Sequence, residues 1–161
     1  MRKKLGIIGL GYVGLPLVIQ FAKSGAQVLG IDVDEKKVDA LNKGQSYIKH
    51  ISSDDVQAQV RDGKIEATTD YSRVNELDAV LICVPTPLDA NREPDLSYVL
   101  NTSKTIAPHL PKGIVVSLES TTYPGTTEEF VLPRLESSGQ KAGDDFYLAF
   151  ALERIDPGNN S

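Results

Sequence analysis

The start of the chain places three glycines between a short apolar run and a helical pattern. Gly9, Gly11 and Gly14 stand in the spacing G-x-G-x-x-G directly after that run. A second apolar run, residues 27–31, ends on Asp32, 18 residues after Gly14. A strand, a glycine turn, a helix and a strand that ends on an acid form the βαβ unit that binds a dinucleotide. This arrangement constrains the fold more than any other feature of the sequence.

Each glycine of the motif meets a physical requirement of a bound dinucleotide. Gly9 permits the tight turn from strand to helix, Gly11 leaves room for the pyrophosphate to approach the backbone, and Gly14 lets helix and strand pack closely. The N-terminus of the helix presents unpaired N–H groups to the anion. We therefore expect the whole turn to contact the cofactor: Gly9, Leu10, Gly11, Tyr12, Val13 and Gly14.

The acid at the end of the second strand, Asp32, indicates which dinucleotide is bound. A carboxylate at this position accepts hydrogen bonds from the hydroxyl groups of the adenosine ribose. The 2′-phosphate of NADP would meet a like charge there, at a cost of about 1–3 kcal/mol. The sequence therefore predicts that the chain binds NAD in preference to NADP.

A secretory signal peptide is the alternative interpretation of the N-terminus. Residues 1–4 include three basic side chains, and residues 5–22 are almost entirely apolar, with Gln20 as the exception. However, four glycines and Pro16 would weaken a helix in this run, and residues 21–25 form a poor cleavage site. The βαβ pattern also continues directly after it, so we do not expect export.

The bulk composition narrows the class of protein. A chain of 161 residues with 40% apolar and 24% charged residues is typical of one globular domain, which we assign to residues 1–161. The net charge is −5 and the cations form no stripe beyond residues 2–4, so nucleic-acid binding is not expected. The two histidines, His50 and His109, stand far apart without a cysteine partner, and no metal site is predicted. The single cysteine, Cys83, excludes internal disulfide bonds and favours a cytoplasmic location, and no further run has the ~18 apolar residues that cross a membrane.

Short β-rich runs alternate with helical patterns along the rest of the chain. The predicted strands cover residues 4–8, 27–32, 65–68, 79–84, 114–118 and 146–151. The predicted helices cover residues 11–24, 34–42, 53–63 and 95–107, with a short turn at 71–75 and a last helix that begins at Thr126 or Thr127. This alternation predicts a Rossmann-type α/β fold, a doubly wound parallel sheet with helices on both faces and strand order 3-2-1-4-5-6. The ligand is expected across the carboxyl ends of strands one and four.

Two local features are predicted within these helices. Val13, Leu17 and Phe21 recur every four residues and so mark one apolar face of the first helix. Asp95 or Ser97 is expected to cap the helix that follows strand four.

Three further segments carry a resemblance to a known family. They are CVPTPL at residues 83–88 followed by REPDLSY at 92–98, LESTTYPG at 118–125, and ERIDPG at 153–158. Together with the glycine turn, they resemble the N-terminal NAD-binding domain of the UDP-glucose/GDP-mannose dehydrogenase family over essentially the whole chain. Among the subfamilies, the sequence looks most like the UDP-N-acetylglucosamine 6-dehydrogenases, with the UDP-N-acetylmannosamine and UDP-glucose enzymes as near alternatives.

The resemblance implies an activity and a set of site residues. The family oxidises the C6 alcohol of a nucleotide sugar to a carboxylate in two hydride transfers that consume two NAD, through a thioester on a cysteine. By resemblance, Thr122 orients water and stabilises developing charge, Glu153 is the general base of thioester hydrolysis, and Arg154 lies at the substrate edge. The resemblance also implies further cofactor contacts: Lys37 at the ribose, and Pro85, Thr86, Pro87, Thr121 and Thr122 after strands four and five.

Simpler interpretations of several of these residues stay open at this point. Thr122 could cap the helix that follows it. Lys37 could be a solvated helix residue, and Glu153 could be a surface carboxylate. Cys83 is expected to pack as a small buried hydrophobe, and we do not assign it as a nucleophile.

The sequence also departs from the family pattern near its end. The family has Ser-Pro or Asn-Pro before the glutamate, whereas this chain has Ala151 and Leu152, so the backbone before Glu153 lacks a fixed φ. The family's catalytic lysine, asparagine and cysteine are expected beyond Ser161, together with the domain that binds the UDP-sugar. We therefore expect these residues alone to bind NAD without oxidising a sugar, and the full-length protein to form a homo-oligomer. The alternatives are a stand-alone NAD-binding or regulatory module without catalysis, or a dehydrogenase of the hydroxyacid or 6-phosphogluconate type.

Overall fold

A computed structural model describes residues 3–151 of the chain, and a six-stranded parallel sheet lies at its centre. The strands are β1 (Lys4–Ile8), β2 (Gln27–Ile31), β3 (Ile65–Thr68), β4 (Ala79–Ile82), β5 (Ile114–Leu118) and β6 (Phe146–Phe150). Their order across the sheet is β3-β2-β1-β4-β5-β6, which confirms the predicted doubly wound topology. The strand order reverses between β1 and β4, and a crevice opens at the carboxyl ends of these two neighbours.

Helices cover both faces of the sheet. They are α1 (Gly14–Lys23), α2 (Glu35–Asn42), α3 (Ser53–Arg61), α4 (Ser97–Ile106) and α5 (Leu132–Leu135). One core cluster joins α1, α2 and α3 to the sheet through Leu15, Val38 and Val56, and a second joins α4 and α5 to it through Val99 and Leu135. A parallel sheet requires apolar cover of this kind on its two faces. Within the described residues, no helix is both long and apolar enough to span a membrane.

The glycine turn delays the start of the first helix. The sequence predicts a helix from Gly11, whereas α1 starts at Gly14, after a turn in which the Leu15 N–H donates to the Gly11 carbonyl at 3.0 Å. Pro16 falls in the first helical turn, where a missing N–H costs least. The N–H groups of Gly11, Tyr12 and Val13 therefore have no partner in the helix, although the Gly11 and Val13 carbonyls accept bonds from its first turn.

The buried face of α1 is offset from the predicted one. Val13, Leu17 and Phe21 are only partly buried, at the margin of the core. The buried positions of the helix are Gly14, Leu15, Val18, Ile19 and Ala22. The helix is apolar around most of its circumference, so a spacing of four residues does not single out the face that packs.

Acidic side chains fix the starts of the two helices that border the crevice. The Asp34 carboxylate accepts the Lys36 N–H at 2.9 Å at the beginning of α2. The Asp95 carboxylate accepts the Ser97 N–H at 2.9 Å before α4, so Asp95, rather than Ser97, holds that end. Each bond satisfies an N–H that has no partner within its own helix.

The connection from β5 to β6 differs from the prediction. The predicted helix start at Thr126 or Thr127 is confirmed, but no side-chain cap forms there, because the Thr126 hydroxyl donates to the Tyr123 carbonyl at 2.8 Å. A π-helical turn, Thr127–Val131, leads instead into the short α5. Pro133 accounts for the wider turn, because a proline has no N–H and its ring clashes with the carbonyl four residues earlier.

Candidate dinucleotide-binding cleft

A cleft of about 740 Å³ opens at the carboxyl ends of the parallel strands. The glycine turn after β1 and the residues after β2 form one side, and the connections after β4 and β5 form the other. Doubly wound folds bind their ligands at this position, where successive connections diverge. The volume also lies within the range of roughly 300–1,000 Å³ that small-molecule sites occupy.

Two glycines of the turn are required by the fold itself. Gly9 has a φ of +93°, and a Cβ atom there would lie 2.7 Å from the carbonyl oxygen of Cys83. A Cβ atom on Gly14 would lie 1.7 Å from the carbonyl oxygen of Gly9. Any larger residue at either position would push the turn away from the strand ends or α1 away from β1.

Gly11 has a different environment from the other two glycines. A Cβ atom there would meet no atom within 4 Å, and its φ lies outside the left-handed region. Gly11 lines the cleft, so a side chain at this position would project into the open space. Packing therefore does not explain the glycine, and the open space over it leaves room for a ligand to approach the backbone.

Unpaired backbone donors surround this open space. Within residues 3–151, the N–H groups of Gly11, Tyr12 and Val13 donate to no other group. They stand at the N-terminus of α1, where the aligned peptide dipoles produce a partial positive charge. Donors in this position bind phosphate groups. The turn therefore offers a diphosphate both space and hydrogen bonds.

Asp32 is held rigidly beside the turn. The residue is only 7% exposed, and its Oδ2 accepts the Leu10 N–H at 2.7 Å while its Oδ1 accepts the Asp34 N–H at 2.9 Å. The Nζ of Lys37 lies 3.8 Å from Oδ2. A carboxylate has about four acceptor positions, so Asp32 keeps capacity for ribose hydroxyls.

Two tyrosines that the sequence analysis missed line the same side of the cleft. Burial and the negative charge of Asp32 raise the pKa of Tyr71 to about 12. Burial, and then the charges of Asp32 and Asp34, also raise the pKa of Tyr47. Both hydroxyl groups therefore stay protonated at neutral pH. No sequence signal could have found them, because each reaches the cleft from a connection far along the chain from the glycine turn.

The opposite side of the cleft is formed by the connections after β4 and β5. Pro85, Thr86 and Thr121 line it. The Thr86 hydroxyl donates to the Thr121 carbonyl at 2.7 Å. The Ser120 hydroxyl donates to the Val84 carbonyl at 2.6 Å. These two bonds tie one connection to the other and close this wall.

Helix α4 contributes two more lining residues, Tyr98 and Thr102, which lie one turn apart. Their spacing of four places them on one face of the helix, but the sequence does not reveal that this face meets the cleft. The remaining lining residues outside the prediction are Val33, Asp34, Ile48, Cys83, Val84, Glu119 and Ser120.

Two predicted cofactor contacts lie beneath the turn rather than in the cleft wall. The Leu10 side chain is fully buried, and its N–H is bound by Asp32. Gly14 is buried against the backbone of Gly9. Both residues support the turn from below, and neither presents a side chain to the cleft.

The other predicted residues are divided between the loops and the end of the chain. Pro87 is exposed on the connection after β4, outside the cleft lining. Thr122 is partly buried one residue beyond Thr121 and is not a lining residue, nor does its side chain cap the following helix. Glu153 and Arg154 lie outside the described residues.

Cys83 packs as the sequence predicts. It is 8% exposed, and its N–H donates to the Ile8 carbonyl at 2.7 Å, which extends the pairing of β1 with β4 by one residue. Over residues 3–151, no group of three or more His, Cys, Asp and Glu side chains could hold a metal ion. His50 is exposed, with its ring centroid 6.4 Å from that of Tyr12 at the rim of the turn.

The residues of the cleft fit NAD. The space over Gly11 and the unpaired donors around it match a diphosphate, and the buried carboxylate of Asp32 matches a ribose with two free hydroxyl groups. The same carboxylate would repel a 2′-phosphate, because only Lys37 lies close enough to offset its charge among the described residues.

The sequence matches a family described as the UDP-glucose/GDP-mannose dehydrogenase family, NAD binding domain, over residues 3–161. It is 38% identical to the UDP-N-acetyl-D-glucosamine 6-dehydrogenase of Salmonella typhi over 97% of this chain and 36% of that protein. It is 39% identical to the UDP-N-acetyl-D-mannosamine dehydrogenase of the same organism, over 96% of this chain and 38% of that protein. The chain thus spans a little over a third of the length of these relatives.

Solved structures agree with the sequence comparison. The fold superimposes on a GDP-mannose dehydrogenase from Pseudomonas aeruginosa with a TM-score of 0.91 at 33% identity, over 97% of this chain and 37% of that one. It superimposes on an NDP-N-acetyl-D-galactosaminuronic acid dehydrogenase from Methanosarcina mazei Go1 with a TM-score of 0.89 at 38% identity, over 96% of this chain and 35% of that one. The chain therefore belongs to the UDP-glucose/GDP-mannose dehydrogenase family and comprises the NAD-binding domain of that family.

Proposed function

We propose that the chain is the cofactor-binding part of an NAD-dependent dehydrogenase that oxidises the C6 alcohol of UDP-N-acetylglucosamine to a carboxylate. The reaction consumes one water and reduces two NAD to NADH. The observation that carries the proposal is the buried Asp32 carboxylate beside the open turn at Gly11, in a domain of this family. The choice of sugar follows the relative from Salmonella typhi that acts on UDP-N-acetyl-D-glucosamine.

The side of the cleft next to β1 and β2 is assigned to the ADP half of NAD. The N–H groups of Gly11, Tyr12 and Val13 donate to the diphosphate. Asp32 accepts the ribose hydroxyls, and Lys37, 3.8 Å from its carboxylate, reduces the cost of keeping that charge buried.

The side next to β4 and β5 is assigned to the reacting end. When bound, NAD supplies a nicotinamide ring that accepts the hydride. Pro85 and Thr86 pack against the cofactor, and Pro87 stiffens the connection that carries them. Thr121 contributes to the cofactor site through its backbone, whose carbonyl accepts a hydrogen bond from Thr86. Thr122 orders water and stabilises the charge that develops during the reaction.

The remaining chemistry is assigned to residues outside the described part of the chain. Glu153 activates the water that hydrolyses the thioester, and Arg154 contacts the sugar nucleotide. We do not assign the thiol to Cys83, which borders the cleft but is only 8% exposed and packs in the core cluster of α1 and α2. For the whole protein we propose a homo-oligomer and, from the single cysteine of this sequence, a cytoplasmic location.

Calorimetric titration with NAD and NADP tests the cofactor assignment. We expect NAD to bind about tenfold or more tightly than NADP, because a buried phosphate beside Asp32 costs about 1–3 kcal/mol. Asp32→Asn should weaken NAD binding and reduce the difference in affinity between NAD and NADP. Asp39→Asn, on the exposed surface of α2, is the matched control and should change neither affinity. Equal affinities for the two cofactors in the unaltered chain would contradict the assignment.

Formation of NADH tests the catalytic part of the proposal. We expect none from the 161 residues with UDP-N-acetylglucosamine or UDP-N-acetylmannosamine, because positioning the sugar is worth about 7–11 kcal/mol of the barrier. The whole protein should produce NADH with the first sugar faster than with the second. If the whole protein binds NAD and oxidises neither of these sugars nor UDP-glucose, the domain serves a binding or regulatory module instead.

A further inference from the structure

We propose that Tyr47 is a positioning residue that sets the diphosphate-binding turn before the cofactor arrives, an inference that rests on the proposed NAD site. Tyr47 lies in the connection between α2 and α3, and nothing in the glycine motif points to it. Its hydroxyl donates to the carbonyl oxygen of Leu10 at 2.6 Å, across 37 residues of sequence.

With this bond, both backbone polar groups of Leu10 are hydrogen-bonded to side chains. Its N–H donates to Asp32 Oδ2 at 2.7 Å, and its C=O accepts from the Tyr47 hydroxyl at 2.6 Å. The Leu10 side chain is fully buried in the core. Both polar groups and the side chain of this residue are therefore fixed by the protein before any ligand is present.

Fixing the Leu10 carbonyl also fixes the next N–H. The described residues contain no cis peptide bond, and in a planar trans peptide the C=O of one residue and the N–H of the next point in opposite directions. The Gly11 N–H is therefore directed away from Tyr47, and it has no partner among residues 3–151. The N–H groups of Tyr12 and Val13 belong to the next two peptide planes of the same short turn, so the fixed Leu10–Gly11 plane sets the point from which their directions follow through the φ and ψ of Gly11 and Tyr12.

The segment that carries Tyr47 is itself firmly held. Ile48, the next residue, is 6% exposed and packs in the core cluster of α1 and α2. The Ser46 hydroxyl donates to the Ile48 carbonyl at 3.0 Å, and the Ser46 N–H donates to the Ser53 hydroxyl at 3.0 Å at the start of α3. The backbone that carries Tyr47 is therefore fixed by hydrogen bonds and by core packing on both sides of the residue.

The hydroxyl is a permanent donor in this setting. A backbone carbonyl can only accept, so the Tyr47 O–H must donate. A tyrosine with its ordinary pKa of 10 is protonated throughout the neutral range, and partial burial together with the nearby charges of Asp32 and Asp34 raises the pKa of Tyr47 above that value. Holding the turn in advance removes part of the ordering cost of binding, and that gain concerns only ligands that contact the turn.

Tyr47→Phe tests the proposal through a series of ligands. We expect the dissociation constants of NAD and of ADP, which carry a diphosphate, to rise about three- to tenfold, the range of one net hydrogen bond. The dissociation constant of adenosine, which has the ribose and no phosphate, should change by less than about twofold. Amide NMR of the variant should show altered or broadened signals for Gly11 and Tyr12 without ligand. Tyr147→Phe, at a half-exposed tyrosine on β6, is the matched control and should change none of these values.

Each outcome of the series decides the matter. If Tyr47→Phe weakens the binding of adenosine as much as that of NAD, Tyr47 acts on Asp32 or on the fold, which overturns the proposal. Unchanged NAD affinity in Tyr47→Phe, alongside loss of binding in Gly11→Val, would overturn it and leave the NAD site standing. Absence of NAD binding by the unaltered chain would remove the proposed function itself. If Tyr47→Phe does not fold, Ser46→Ala is the deciding variant, because it loosens the segment that carries Tyr47. It should weaken NAD and ADP binding but not adenosine binding, to a smaller extent, and the absence of this selective loss would overturn the proposal.

Discussion

The two sides of the cleft are built in different ways. On the β1–β2 side, backbone contacts fix the glycine turn, and each carboxylate oxygen of Asp32 accepts a backbone N–H. On the β4–β5 side, the wall consists of two connections joined by the hydroxyls of Thr86 and Ser120. The first side is therefore preorganised by the fold, whereas the second depends on a few side-chain bonds. We infer that the domain anchors the ADP half of NAD by itself and presents the reacting end on a wall that other residues complete.

The connection after β4 shows how much local structure the second side contains. Asp89 accepts the N–H groups of Asn91 at 2.7 Å and of Glu93 at 2.9 Å, and Leu88 pairs with Pro94 in a short antiparallel bridge. The hydrogen bonds of this small hairpin all join residues within it. The hairpin therefore shapes the exposed end of the β4–β5 wall, but these bonds do not attach that end to the core. Its hydrogen bonds are local, in contrast to the contacts over many residues on the first side.

The largest expected effect breaks the first side completely. Gly14→Ala places a Cβ atom 1.7 Å from the Gly9 carbonyl oxygen, which neither the turn nor α1 can accommodate in place. We expect a loss of about 3 kcal/mol or more in the free energy of unfolding, or failure to fold, measured by urea denaturation. An alanine at Gly11, where the space is open, is the matched control and should leave the unfolding free energy within about 0.5 kcal/mol. Equal stability of the two variants would contradict this division of roles between the glycines.

The next largest effect is a loss of NAD binding in a variant that keeps its fold. Gly11→Val fills the space over the turn, so the diphosphate loses its approach to the backbone donors, and we expect NAD affinity to fall more than about 100-fold. The unfolding free energy should change by less than about 1 kcal/mol. Gln20→Val, on the exposed side of α1, introduces the same side chain away from the cleft and should bind NAD normally. Native NAD affinity in Gly11→Val would place the phosphate site elsewhere.

A smaller effect is expected on the second side. Thr86→Val keeps the shape of the side chain and removes the bond to the Thr121 carbonyl, which lies at 2.7 Å. One net hydrogen bond is worth about 0.5–1.5 kcal/mol, so we expect NAD affinity to fall by no more than about tenfold and ADP affinity not to change. Thr105→Val, at an exposed position of α4, is the control for the loss of a threonine hydroxyl. A fall in ADP affinity as large as that for NAD would show that the two sides are not independent.

The smallest effect lies at the amino edge of the sheet, away from both sides of the cleft. Hydrogen bonds from Arg73 and then Lys4 lower the pKa of Glu76 from 4.5 to about 2. A lowered folded-state pKa adds stability above about pH 4.5 that is lost as the pH falls toward 2. Thermal unfolding of Glu76→Gln should therefore depend less on pH across this window, with NAD affinity unchanged at neutral pH. Glu128→Gln, at an exposed carboxylate, is the control, and the same pH dependence in both variants would contradict the prediction.

The fold was predictable because its signals are local. Apolar runs separated by glycines and by helix caps such as Asp34 gave six strands in the correct order, with strand ends that differ by at most two residues. The least predictable local feature was the π-helical turn Thr127–Val131, because it results from a clash at Pro133 rather than from the residues that begin it. The buried face of α1 was also misjudged, since apolar residues surround most of that helix.

The candidate site was predictable where the βαβ motif or the family resemblance points to a residue, and the resemblance correctly placed Lys37, Pro85, Thr86 and Thr121 at the cleft. The glycine turn and Asp32 follow from spacing, because each position has a separate physical requirement. Tyr47 and Tyr71 could not be predicted, since they reach the cleft only through tertiary packing. Thr122 was placed by resemblance, and it lies next to the cleft wall rather than in it.

Titration of the chain with two overlapping fragments of NAD is the most direct test of the difference between the two sides. We expect ADP-ribose, which carries the adenosine, the diphosphate and the second ribose, to keep most of the affinity of NAD, within about tenfold by calorimetry. Nicotinamide mononucleotide, which can engage only the β4–β5 side and one phosphate position, should bind at least about 100-fold more weakly than NAD. The contrary result, in which nicotinamide mononucleotide binds as tightly as ADP-ribose, would show that the glycine-turn side is not the anchor of the cofactor.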